Sequence, residues 1–73
     1  MAGKLPAVKP KKAIKALERC GFMVHHVTGS HYILKKGKQR VTVPYHNKDL
    51  NHRLLATIIA QAGLTVDEFL ALL

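Results

Sequence analysis

One histidine of this chain has a sequence context that is suited to chemistry. In the stretch GSHYIL, residues 29–34, His31 follows a Gly-Ser pair and precedes a run of β-forming residues. Gly-Ser favours a turn and Tyr-Ile-Leu favours a strand, so we expect His31 to begin a strand at the mouth of a hairpin. Cationic side chains follow along the chain, at Lys35, Lys36, Lys38, Arg40 and Lys48.

An imidazole beside several cations is suited to proton transfer at a phosphodiester. Cleavage of RNA without a metal needs one group to take the proton from a ribose 2′-OH and another to protonate the departing 5′-oxygen. Cations stabilise the charge that develops on the phosphate. Imidazole can act in either role near neutral pH. Spacing alone leaves a second interpretation open, in which His31 is a turn residue that forms local hydrogen bonds.

Other chemistries find little support in the sequence. The five histidines have no zinc-ligand spacing, and neither H-E-x-x-H nor a pair of C-x-x-C motifs occurs. Successive residues of a strand point to opposite faces, so we expect that His25 and His26 cannot serve one site. Gly-Ser-His lacks the serine-hydrolase elbow, and the four acidic residues are too scattered for paired-carboxylate catalysis or a magnesium cluster. We therefore expect no metal and no cofactor.

The charge distribution indicates a polyanionic partner. The formal net charge is +8, and all twelve Lys and Arg residues lie between Lys4 and Arg53. Only Asp67 and Glu68 are charged after Leu54. Nucleic acid is the commonest polyanion to bind such a surface, whereas a solvated surface that keeps the protein soluble is the simpler alternative.

Size and cysteine content limit the setting. A domain of 73 residues has a marginal core, so a homo-oligomer or a partner protein would assist its stability. Cys20 is the single cysteine, which precludes an internal disulfide and suits a reducing compartment. We expect it to be an inert core thiol. No apolar run is as long as a membrane span or a signal-peptide core, so we expect a soluble, cytoplasmic protein without membrane contact.

Periodicity divides the chain into a loose lead-in, residues 1–9, and one domain, residues 10–73. Helical spacing begins at Pro10 and stops at Gly21, and three strands are predicted over 22–27, 31–35 and 39–44. A helix capped by Asn51 ends near Gly63, and Thr65 with Glu68 has the spacing of a capping box for a short last helix. The order is α-β-β-β-α with an extra terminal helix. It predicts an α+β two-layer sandwich, the order of double-stranded-RNA-binding domains, with both main helices on one sheet face.

Several short motifs occur in an order and at intervals that match one known protein family. In chain order they are Cys20-Gly21-Phe22, Gly29-Ser30-His31, Val41-Thr42-Val43-Pro44 followed by His46, Lys48-Asp49-Leu50, and Gln61-Ala62-Gly63-Leu64. Together, at these intervals, they resemble the HicA-type (YcfA-like) toxins of type II toxin-antitoxin systems. The resemblance covers Pro10 to Leu73.

This resemblance implies a fold, an activity and a partner. The fold is that of double-stranded-RNA-binding domains, the activity is that of an mRNA interferase, and the partner is a cognate antitoxin of the HicB type. The catalytic histidine of the Gly-Ser-His motif corresponds to His31, and His46 would contact RNA or support its loop. The expected RNA-binding residues are Ser30, Lys35, Lys36, Lys38, Arg40, His46 and Lys48.

Three functions follow as hypotheses from the sequence. The first is an endoribonuclease toxin that cuts mRNA without metal through His31, alone or in a toxin-antitoxin hetero-oligomer. The second is a non-catalytic RNA-binding module of the same fold. The third is a protein-interaction domain that docks through its apolar C-terminal helix.

Overall fold

The predicted order of elements is confirmed in the computed structural model, which describes residues 6–73. A helix is followed by three strands and two further helices, and the boundaries of the strands lie within one residue of those predicted. In chain order the elements are α1 (Pro10–Arg19), β1 (Met23–Thr28), β2 (His31–Lys36), β3 (Gln39–Pro44), α2 (His52–Gln61) and α3 (Val66–Ala71).

The helix ends are set by the residues that the sequence indicated. Pro10 is the first residue of α1, where its missing N–H leaves no helical hydrogen bond unmade. The side chain of Asn51 accepts a hydrogen bond from the backbone N–H of Leu54 over 2.8 Å and so caps α2. Thr65 and Glu68 form the predicted capping box, with hydrogen bonds of 2.8 and 3.1 Å. None of the helices within residues 6–73 has the length and apolar character needed to cross a membrane.

The three strands form one antiparallel sheet in the order β1-β2-β3. One face of this sheet carries Leu34, Val41 and Val43, which are fully buried. Helix α1 contacts β1 and β3, and α2 contacts β3, so both helices cover this face. The architecture is the predicted α+β sandwich, and it is consistent with the fold of double-stranded-RNA-binding domains. The other face of the sheet, here called the open face, carries no helix of the described chain.

The segment before α1 is more ordered than a loose lead-in. Residues 1–5 of the predicted lead-in lie outside the described part of the chain, but Val8 is only 2% exposed and belongs to the core. The backbone N–H of Leu50 donates to the carbonyl of Val8 over 2.8 Å, which forms an isolated antiparallel bridge. The prediction was therefore wrong for this end of the lead-in. A single apolar residue between Ala7 and Lys9 gives no periodic pattern that would reveal its burial.

Cys20 follows α1 and is half-buried against the core. Its thiol donates a hydrogen bond to the carbonyl of Leu17 over 3.2 Å. Gly21 comes next with a φ of +107°, a conformation that favours glycine and ends the helix there. Cys20 thus packs at the rim of the core rather than fully inside it.

A β-bulge interrupts the pairing of β1 with β2. Val24 pairs with Leu34 and His26 pairs with Ile33, so His25 is an extra residue between two consecutive pairs. The bulge reverses the alternation of side chains from that point onward, and His26 shares the open face with Ile33. The rings of His25 and His26 lie in contact, with centroids 5.4 Å apart. The expectation that these two histidines point to opposite faces was therefore wrong.

Candidate nucleic-acid interface

His31 is the first residue of β2 and is exposed at the mouth of a tight hairpin. Thr28 pairs with His31, so Gly29 and Ser30 alone form the turn. Gly29 has a φ of +55°, whereas the φ of Ser30 is not positive. This is the pattern of a type II′ turn, in which glycine occupies the first central position. The turn therefore fixes where the strand begins. Because Tyr32 and Leu34 point to the helix side, His31 points to the open face.

Residues paired across strands share a face, so the register defines the rest of the open face. Lys35 pairs with Arg40 on β3 and with Met23 on β1. Each of these three residues is adjacent in the chain to a buried residue, so each points away from the core, to the open face. From the turn end to the far end, the face consists of the rows Thr28, His31 and Pro44, then His26, Ile33 and Thr42, then Met23, Lys35 and Arg40. Lys35 is four residues from His31 along the strand, about 13 Å. Two of the predicted cations thus share the face of His31, at its opposite end.

Lys36 lies on the other face of the sheet. Its ammonium donates a hydrogen bond to the carbonyl of Cys20 over 2.6 Å and lies 5.9 Å from the ring centroid of Phe22. Lys38 is exposed in the turn between β2 and β3. The structure therefore separates Lys36 from the surface that carries His31, whereas Lys38 lies at the rim of both faces.

The loop after β3 lies beside the turn that precedes His31. The backbone N–H of Tyr45 donates to the carbonyl of Ser30 over 2.6 Å, and the ring of Tyr45 stacks on Tyr32 with centroids 4.9 Å apart. At its other end the loop is held by Lys9, whose ammonium donates to the carbonyl of Asn47 over 3.1 Å and lies 3.5 Å from the carboxylate of Asp49. His46 and Lys48 are exposed within this loop, at the same end of the sheet as His31.

An open cleft of about 310 Å³ lies between this loop and the start of α1. Two lysines, an imidazole, a phenol and an amide contribute to it, a set of side chains that can bind phosphate and stack on a base. The lining residues are Lys9, Pro10, Lys11, Tyr45, His46 and Asn47. Sequence reasoning identified only His46 among them, because the lead-in and the loop are distant in the chain. The only feature of the sequence that could indicate their contact is one apolar residue in each segment, Val8 and Leu50, which pair in the structure.

Within residues 6–73, no carboxylate lies on the sheet. The four acidic residues of the chain are in α1, in the loop after β3 and in α3, at Glu18, Asp49, Asp67 and Glu68. The ionisable side chains of the open face are therefore all cationic or neutral. The described residues also contain no group of three or more His, Cys, Asp or Glu side chains arranged to hold a metal ion.

Comparison with known proteins matches the chain to one family. A comparison with curated proteins found no significant relative. A family model described as the HicA toxin of bacterial toxin-antitoxin systems matches residues 10–64. This range begins at the first residue of α1, ends after α2, and includes the hairpin turn, the open face and the loop after β3. The match covers most of the chain and agrees with the motifs around His31 and His46, and the protein belongs to the HicA toxin family of bacterial toxin-antitoxin systems.

Proposed function

We propose that this toxin is a metal-independent mRNA interferase, an endoribonuclease that acts in the cytoplasm and uses His31 for proton transfer. One observation carries the proposal: His31 is exposed at the mouth of a tight hairpin, on a sheet face whose described side chains include cations and no carboxylate. Such a face attracts a polyanion and presents to it a group that can take or give a proton.

The proposed reaction needs no water and no metal. One group takes the proton of a ribose 2′-OH, and the 2′-oxygen then forms a bond to the adjacent phosphorus. The bond from phosphorus to the 5′-oxygen breaks, and a second group gives that oxygen a proton. The products are a 2′,3′-cyclic phosphate and a free 5′-OH. His31 performs one of the two proton transfers, and general acid-base catalysis by one group contributes roughly 10² to 10⁴ in rate.

Cations at both ends of the face would hold the RNA backbone across His31. Lys35 is about 13 Å from His31 along β2, and Arg40 lies opposite Lys35 on β3, so both would bind phosphates beyond the scissile one. Lys38, in the turn between β2 and β3, adds a further cation at this end of the face. At the other end Ser30 lies in the turn before His31, and His46 and Lys48 lie in the adjacent loop, where His46 also lines the cleft. We leave Lys36 out of the proposed surface because its ammonium is bound to the carbonyl of Cys20 on the other face.

The family implies a cognate antitoxin, and we propose that this is a HicB-type protein with an acidic surface that covers the open face. An inhibitor that competes with RNA for cationic side chains must itself offer negative charge there. The two proteins would then form a hetero-oligomer in which His31 is inaccessible.

The decisive experiment is incubation of the purified toxin with a defined RNA in EDTA. We expect cleavage by the wild-type protein, loss of cleavage with His31→Ala, and RNA binding largely unchanged in that variant because many cations contribute to it. An RNA with deoxyribose at the scissile position should also resist cleavage. Binding without any cleavage by wild-type toxin would favour the non-catalytic RNA-binding module. Cleavage at the deoxyribose position would instead require a water nucleophile.

A further inference from the structure

We propose that His26 is the second proton-transfer group, acting with His31 on one phosphodiester. The inference rests on the proposed ribonuclease function and deepens it, since it names the group that completes the reaction. It depends on the hairpin register, in which Thr28 lies opposite His31 and His26, two residues before Thr28, lies on the same face of the sheet.

The contacts in β1 show that the bulge brings its histidines to one side. In a regular strand His25 and His26 would point to opposite faces. Here their ring centroids are 5.4 Å apart with an interplanar angle of 69°, an edge contact that needs both rings on the same side. Because His26 pairs with Ile33, which alternates with Tyr32 and Leu34, that side is the open face.

The register then makes His26 and His31 diagonal neighbours. His26 lies opposite Ile33, and His31 is two residues from Ile33 on the same strand. Diagonal neighbours in an antiparallel pair are about 7–8 Å apart, and their Cβ atoms are somewhat closer. In phosphoryl transfer the attacking and departing oxygens lie roughly in line on opposite sides of phosphorus. Two imidazoles at this spacing can therefore reach both oxygens of one linkage.

The remaining ionisable groups of the open face are less suitable. The described sheet carries no carboxylate, and Lys35 and Arg40 are one row further from the turn than His26. An arginine also keeps its proton under all ordinary conditions. His25 is the extra residue of the bulge and has no partner on β2, so the register places it one position further from the turn than His26. His26 is thus the titratable group placed nearest to His31 by the strand register.

In the proposed reaction the two imidazoles exchange protonation states in one turnover. A neutral imidazole takes the 2′-OH proton as the 2′-oxygen bonds to phosphorus. An imidazolium gives its proton to the 5′-oxygen as the phosphorus bond to that oxygen breaks. One proton enters the pair and one leaves it, so a proton exchange with solvent restores the starting state. The cleavage rate should accordingly rise and then fall with pH.

The test compares His26→Gln with His31→Gln in single-turnover cleavage of a defined RNA across a range of pH. We expect His26→Gln to lower the rate by roughly 10² to 10⁴ and to remove one limb of the pH profile. A second substrate carries sulfur in place of the 5′-oxygen, and its thiolate departs without a proton. This substrate should restore the rate of one of the two variants, the one that lacks the acid, and not of the other.

His52→Gln is the matched control, since it makes the same change at an exposed histidine at the start of α2. It should keep the wild-type rate and pH profile. Because His26 is exposed, His26→Gln should retain the thermal stability and RNA affinity of the wild type. A His26→Gln protein with the wild-type rate and both limbs, beside an inactive His31→Gln protein, would overturn this inference alone. A wild-type toxin that cuts no RNA would overturn the proposed function and this inference with it.

Discussion

The backbone N–H of Tyr45 donates to the carbonyl oxygen of Ser30 over 2.6 Å, and this hydrogen bond joins the two segments that flank the candidate site. Ser30 belongs to the turn that sets the position of His31, and Tyr45 begins the loop that carries His46. The stacked rings of Tyr32 and Tyr45 reinforce the junction on the helix side. The hairpin turn and the loop should therefore behave as one unit.

Removing the ring of Tyr45 should weaken this junction. Tyr45→Ala deletes the stacking on Tyr32, and an aromatic pair contributes about 0.5–1.5 kcal/mol beyond its buried area. We expect the free energy of unfolding in urea to fall by about 1 kcal/mol or somewhat more. Tyr45→Phe keeps the ring and the backbone donor, so it should match the wild type. Equal decreases for both variants would instead assign the effect to the phenolic hydroxyl.

Val8 should contribute to stability as a core residue although it precedes the first helix. Val8→Ala removes two buried methyl groups and should cost about 2 kcal/mol. Val27→Ala is the matched control, because Val27 is 48% exposed on an edge strand, and it should change stability by about 0.5 kcal/mol or less. Urea denaturation of the two variants measures the difference. Similar values would mean that the segment before α1 adds nothing to the core.

The β-bulge explains where sequence reasoning about the site succeeded and where it failed. Gly-Ser in the hairpin and the Val41 and Val43 alternation predicted the start of β2 and the faces of β3, because turn chemistry and a period of two are local properties. The interpretation of His25 and His26 applied the same period and was wrong. An inserted residue reverses the alternation, and nothing local in the sequence distinguishes His25 as the extra residue.

Contacts between distant segments were the other property that the sequence could not predict. The bridge between Val8 and Leu50 and the bond from Lys9 to Asn47 depend on how the helix layer returns past the sheet. Each partner is an ordinary residue in a segment without periodicity. The helix caps at Asn51 and Thr65, in contrast, involve residues three positions apart and were predicted correctly.

The two faces of the sheet should differ in their contribution to RNA binding. Replacing Lys35, Lys38 and Arg40 by Gln should lower RNA affinity and reduce the slope of log K against log salt by about 0.7 for each single-stranded phosphate that these cations neutralise. Lys36→Gln removes one charge of the same kind from the other face and should leave the slope nearly unchanged. Affinities measured by fluorescence anisotropy at several salt concentrations give these slopes. A slope unaffected by the triple substitution would exclude the far end of the open face from the RNA footprint.

The antitoxin should protect the open face in the complex. If an acidic surface covers His26 and His31, their imidazoles become inaccessible to a reagent such as diethyl pyrocarbonate, which acylates exposed histidines. We expect both to react at least roughly tenfold more slowly in the complex than in the free toxin, with the modified peptides quantified by mass spectrometry. His52 is on the helix layer and provides an internal comparison within each sample.

Salt provides a second measurement of the same interface. Attraction between opposite charges weakens as ionic strength rises, so the association rate of toxin and antitoxin should fall steeply with salt. The charge-reversing variant Lys35→Glu should slow association, and Lys36→Glu, on the other face, should affect it less.

If His31 reacts with diethyl pyrocarbonate at the same rate in the complex as in the free toxin, the antitoxin does not cover the site. The antitoxin would then bind the toxin on the helix layer and inhibit it through a change in the structure of the toxin.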